Sequence, residues 1–165
     1  FRARVGWLAI GLFGGMFAAS VAGFFEDVLR KEIILAFFIP VVVYLSDAVG
    51  TQTETLFIRS LAIERIRLAR YFFRELAVGV ALGALFGLFA YGFVMVVWQH
   101  AMIALILALT FFCTIIIATV VALLIPWGFI RMHRDPATGS GPFATIVQDV
   151  LSLVIYFSIA SFFLS

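Results

Sequence analysis

Five stretches of this chain are each apolar for long enough to cross a lipid bilayer. A hydrocarbon core about 30 Å thick takes roughly 20 helical residues. In lipid the backbone must satisfy its own hydrogen bonds, so an open spanning segment has to be helical. Composition agrees: 65% of the 165 residues are hydrophobic, 12% are charged, and mean hydropathy is +1.21. A soluble core of this size could not hide so much apolar surface. The reading is an all-α membrane protein with five spans, at about 5–25, 33–59, 76–98, 101–130 and 142–164.

What lies between the spans constrains them further. Glu26, Asp27, Arg30, Lys31 and Glu32 separate the first two. The second is longer than a crossing requires and contains Pro40 and Gly50, which predicts a tilted, kinked or locally unwound helix. Residues 59–74 carry several arginines and read as a short amphipathic interfacial helix. Gln99-His100 leaves room only for a tight hairpin between the third and fourth spans. Residues 131–141 form the last loop.

Arginine and lysine placement sets the orientation. With the N-terminus inside, Arg2, Arg4, Arg59, Arg65, Arg67, Arg70, Arg74, Arg131 and Arg134 fall on the cytoplasmic side, and only Arg30 and Lys31 fall outside. Five spans then put the C-terminus outside. The net charge of +2, with basic residues beside membrane segments, gives no surface for nucleic acid. Cys113 is alone, so no disulfide framework or cysteine metal site is available.

Small residues recur at helical spacing. Gly79, Gly83 and Gly87 form a stripe that lets helix backbones approach closely, and Gly11, Gly14 and Gly15 are expected to do the same in the first span. Thr110, Thr114 and Thr119 are expected to bond back to carbonyls of their own helix.

The carboxylates are where function is read. Asp47 and Asp149 lie inside apolar spans, at a cost of roughly 2.5–3.5 kcal/mol each on insertion scales, so each needs a partner or a watery path. Positions three, four or seven apart share a helix face. Thr145, Asp149, Ser152 and Tyr156 form one polar stripe on the fifth span; Asp47, Thr51 and Glu54 form another on the second, with Gly50 allowing close approach. At 1.5 Å per residue, Asp149 is about 10 Å inside the cytoplasmic boundary and Asp47 about 18 Å from Arg59. Carboxylate, hydroxyl and carbonyl oxygens suit hard cations, and Mg²⁺, which gives up water reluctantly, needs only one or two carboxylates. Asp149, Asp47, Thr145, Thr51 and Glu54 are therefore the candidate metal residues. The competing structural reading makes each aspartate a buried hydrogen bond or ion pair, and lets Glu54 pair near the interface.

The chain resembles the membrane domain of the MgtE-type magnesium channels over essentially its whole length. The likeness is carried by Phe25-Glu26, by Ile39-Pro40 with Gly50-Thr51-Gln52-Thr53 and Ile58-Arg59-Ser60-Leu61-Ala62, and by Asp135-Pro136, Gly141-Pro142-Phe143, Asp149 and Ile155-Tyr156-Phe157. It implies a homodimer with five spans per subunit and an ion path between subunits, lined by the second and fifth helices. It also implies that Asp149 is the pore aspartate and that Thr145 offers a backbone carbonyl to the hydrated ion. Family members usually have Gly-Gly-Asn where this chain has Ser46-Asp47-Ala48, which brings a second carboxylate towards the pore. The family's cytoplasmic helical domain and CBS pair have no counterpart within these residues, so gating through them is not inferred.

The expected function is transport of a divalent cation, Mg²⁺ first, with Mn²⁺, Co²⁺ or Ca²⁺ as other ions the site could pass. The expected setting is a bacterial or archaeal inner membrane. A carrier coupled to Na⁺ or H⁺ is the main alternative. An intramembrane enzyme is a remote one: Glu26-Asp27 and Arg30 bear a faint likeness to intramembrane proteases, but His100 and His133 lie in loops.

Overall fold

A computed structural model describes residues 2–63 and 67–165. Among the described residues the chain is entirely helical: α1 Arg2–Gly23, α2 Glu26–Lys31, α3 Ile34–Ile63, α4 Leu68–Val97, α5 Ala101–Arg131 and α6 Pro136–Leu164. Four of these, α3 to α6, are long and apolar enough to cross a membrane. In α1 the apolar stretch Leu8–Gly23 is shorter than that standard.

α5 is the centre of the bundle because it is apolar on every side. It packs against α3, α4 and α6; α3 also packs on α6, and α1 lies mainly on α6. Ile103, Leu107, Phe111 and Ile115 of α5 are buried in the core with Leu35, Val42 and Phe157. The α4–α5 contact runs along the small-residue stripe. The buried residues of α4 are Glu75, Gly79, Gly83, Gly87, Ala90 and Val94, a single face. A Cβ on Gly83 would lie 2.9 Å from the Phe112 carbonyl oxygen, and one on Gly87 2.7 Å from that of Ala108. Of the first-span glycines only Gly14 has a neighbour, the Ile146 side chain; Gly11 and Gly15 meet nothing within 4 Å, contrary to the expectation for them.

The α4–α5 turn is as tight as expected. Gln99 takes a left-handed φ of 53°, and the His100 ring accepts from the Ile103 amide at 3.4 Å, capping α5. Phe38, Phe93 and Trp98 pack edge to face at this end, with centroids 5.5–6.4 Å apart. Nearby, the Tyr156 hydroxyl donates to the Leu35 carbonyl at 2.7 Å and ties α6 to the first turn of α3.

Several boundaries differ from the sequence reading. The arginine-bearing connector is not a helix of its own: residues 59–63 continue α3 and 68–74 begin α4, while Arg65 lies outside the described residues. α3 is continuous through Pro40 and Gly50 rather than unwound. α6 starts at Pro136, where a missing N–H costs nothing, and carries Pro142 inside it, so the expected loop shrinks to residues 132–135. The charge cluster 26–32 contains the six-residue α2, with Arg30 and Glu26 paired at 2.7 Å. Thr119 bonds back to Ile115 at 2.9 Å and Thr114 to Phe111 at 3.5 Å, as expected, but the buried Thr110 hydroxyl has no partner.

Candidate cation pathway

α3 and α6 run antiparallel, and their shared seam is polar at three levels. At the first, the Thr145 hydroxyl donates to Asp47 Oδ1 at 3.0 Å. At the second, Gly50 faces Gln148, whose side chain is 2% exposed; any Cβ on Gly50 would collide with that amide. A larger residue here would have to displace that buried amide. At the third, Ser140 Oγ lies 2.5 Å from Glu54 Oε1 and 2.6 Å from the Pro136 carbonyl. Glu54 is 7% exposed, so this hydroxyl answers much of the cost of burying it.

The predicted residues therefore divide. Asp47 and Thr145 are brought together, and both are half-buried. Asp149 is half-buried on α6, one turn beyond Thr145, and Asp47 is near enough for the two charges to repel. The same repulsion reaches Glu54. Thr51 is exposed on α3. Ser152 and Tyr156, placed on the α6 stripe by periodicity, are buried packing residues.

Sequence reasoning missed Ser140 and Gln148. The signal for Gln148 was present: it is an uncharged amide beside Asp149 and faces the glycine already singled out on α3. Ser140 falls in the loop that the sequence predicts at 131–141, so its helical position opposite Glu54 has no counterpart in the pattern.

Among the described residues no three His, Cys, Asp or Glu side chains gather closely enough to hold a metal ion directly. Two acids of the 26–32 cluster have basic partners. Glu26 pairs with Arg30, and Glu32 lies 3.6 Å from the His100 ring.

Removing the charge but keeping the shape tests the first level of the seam. Asp47→Asn should shift the preference among Mg²⁺, Mn²⁺ and Co²⁺ in competitive uptake, whereas Thr145→Val, which deletes only the donor, should cost about 1 kcal/mol of stability. Unchanged uptake of every ion by Asp47→Asn would leave the aspartate as the acceptor of one hydrogen bond and nothing more.

Comparison with known proteins bears on this geometry. Residues 39–159 match the family described as MgtE, divalent cation transporter. The chain is 36% identical over 165 residues to the magnesium transporter MgtE of Bacillus subtilis, covering 98% of the chain and 36% of that protein. It is 34% identical to that of Enterococcus faecalis over 98% of the chain, and 33% to that of Thermus thermophilus over 96%, again covering 36% of each relative. The chain thus spans about a third of the length of these relatives. The match runs through most of α3, all of α4 and α5 and most of α6, so it includes both helices of the polar seam, and a transporter family leaves the enzyme alternative without support. The chain belongs to the MgtE family of divalent cation transporters.

Proposed function

We propose that this chain conducts hydrated divalent cations, Mg²⁺ foremost, across a membrane through a pore lined by α3 and α6. The observation that carries the reading is the bond from Thr145 to Asp47, which joins the two polar stripes beside a half-buried Asp149. Asp149 is the principal carboxylate on this reading and Asp47 the second, with Thr145 between them. Thr51 and Glu54 extend the oxygen-rich wall on α3. One or two carboxylates suit an ion held largely through its own water, as Mg²⁺ prefers. The name magnesium transporter, borne by all three relatives, supports the choice of ion.

The assembly we propose is a homodimer with α1 as a fifth span and the pathway between subunits. Exposed Thr51 and half-open Asp149 would face their symmetry mates, doubling the carboxylates around the axis. A chain that conducts while monomeric in nanodiscs would exclude this arrangement.

The function is tested by Mg²⁺ uptake into proteoliposomes against empty vesicles, with and without Na⁺ and pH gradients. Uptake that follows the Mg²⁺ gradient alone is expected; dependence on Na⁺ or H⁺ would favour the coupled carrier, and no uptake would end the proposal. Topology is checked in a Cys113→Ser background. With the N-terminus inside, Ser165→Cys should react with an impermeant thiol reagent from outside and Gly139→Cys should not. The reverse pattern would invert the chain in the membrane.

A further inference from the structure

The arginine-bearing end of the bundle holds a cavity that the cation seam does not use. It measures about 250 Å³ and lies where the last turns of α3 and α5 meet the first turns of α4. Phe57, Leu68, Tyr71, Phe72, Leu123 and Trp127 give it an apolar wall, and Arg131 stands among the lining residues with its guanidinium 4.8 Å from the centre of the Trp127 ring. Cation–π stacking holds Arg131 over the tryptophan instead of leaving it free in solvent.

Among the described residues, arginines gather around the opening. Arg67 and Arg70 are exposed and flank Leu68 and Ala69, both of which line the cavity. The buried carboxylate nearby, Glu75, is already matched by Arg74 at 3.7 Å. The opening also lies at the start of α4, whose cap residue Arg67 supplies no side-chain acceptor to the first-turn amides. A helix start favours an anion, and the arginines add to that preference.

An apolar slot within the span of membrane helices, rimmed by arginines at their ends, matches one kind of molecule. We propose that it binds an anionic phospholipid, with an acyl chain against Phe57, Leu123 and Trp127 and the headgroup phosphate on Arg131 and the α4 N-terminus. A free phosphate would leave the apolar wall uncovered, and a zwitterionic lipid would bring a second positive charge to an arginine rim. The site is independent of the cation pathway and survives or fails separately from it.

Trp127 reports on its own occupant. In a Trp7→Phe, Trp98→Phe background it is the one remaining tryptophan of the three. The protein is placed in phosphatidylcholine nanodiscs containing a rising fraction of lipid with brominated chains, either phosphatidylglycerol or phosphatidylcholine. Half-maximal quenching of Trp127 is expected at about a fivefold lower fraction of the anionic lipid, the ratio one arginine supplies near a membrane surface. Arg131→Gln should bring the two curves together, Arg131→Lys should keep them apart, and Ala69→Phe, which fills the slot, should reduce quenching by both lipids. Coincident curves in the parent would mean ordinary surrounding lipid and overturn the proposal. So would a preference that Arg131→Gln leaves intact, which assigns it to the general field of the arginines. Trp127 unquenched by either lipid would mean that a second copy or another protein segment covers the slot, and that too rejects the lipid.

Discussion

Replacing Asp149 by Asn is expected to lower Mg²⁺ uptake into proteoliposomes roughly tenfold or more, since a loss of about 1.4 kcal/mol of ion stabilisation already gives that factor. The substitution keeps the shape of the side chain, which is half-buried and lies near the like charge of Asp47. Protein yield and assembly should therefore hold while flux falls. Asp149→Glu keeps the charge but advances it by one methylene, so an intermediate rate with altered ion preference is expected. The pairing of these variants separates charge from packing. A pathway elsewhere in the molecule would show itself as Asp149→Asn transporting like the parent chain.

The largest effect on the fold is expected where backbone meets backbone. Gly83→Leu or Gly87→Leu places carbon within 3 Å of a carbonyl oxygen of α5, and that oxygen cannot move without moving the helix. Overpacking of this kind costs about 1–3 kcal/mol per site. Both variants should lose monodisperse protein at lower temperature in detergent. Gly92→Ala supplies the contrast, because a Cβ there meets nothing within 4 Å and an interior helical glycine gives up about 0.5–1 kcal/mol relative to alanine. Gly92→Ala should therefore be neutral or stabilising. If all three behaved alike, the attribution to α4–α5 contact would be wrong.

How far the sequence revealed this architecture depended on which physical signal marked each feature. Residues 101–130 were legible almost to the residue, because a two-residue turn and a C-terminal arginine bound a wholly apolar helix, Ala101–Arg131. The ends of α3 and α4 were not. Hydropathy reports where lipid stops, whereas the helical hydrogen bonds continue through Arg59 and through Arg70 and Arg74. Pro142 misled for a related reason: a proline marks a helix start only when its missing N–H falls among the unpaired first-turn amides, and here Pro136 holds that place.

The seam shows the same division. Periodicity placed Asp47 and Thr145 on the right faces, and their hydrogen bond follows once α3 meets α6. Which residue stands opposite which is a property of two helices together. Ser140 against Glu54, Gln148 against Gly50 and Tyr156 against the Leu35 carbonyl could not be read from either stripe alone. Tyr156 was grouped with the pathway because it is polar and in register; packing made it a clamp.

The Gln99-His100 turn bears on how the protein reaches its membrane. Only a short polar link has to be carried across for α4 and α5 to enter together, and the His100 ring supplies the cap that starts the second helix as the first one ends. Their mutual contact, set by Gly79, Gly83 and Gly87, needs no residue from α3 or α6. Close contacts of small sequence separation form early. Biogenesis can thus begin from a hairpin delivered to the bilayer as one piece, onto whose α5 face the two helices of the polar seam close together.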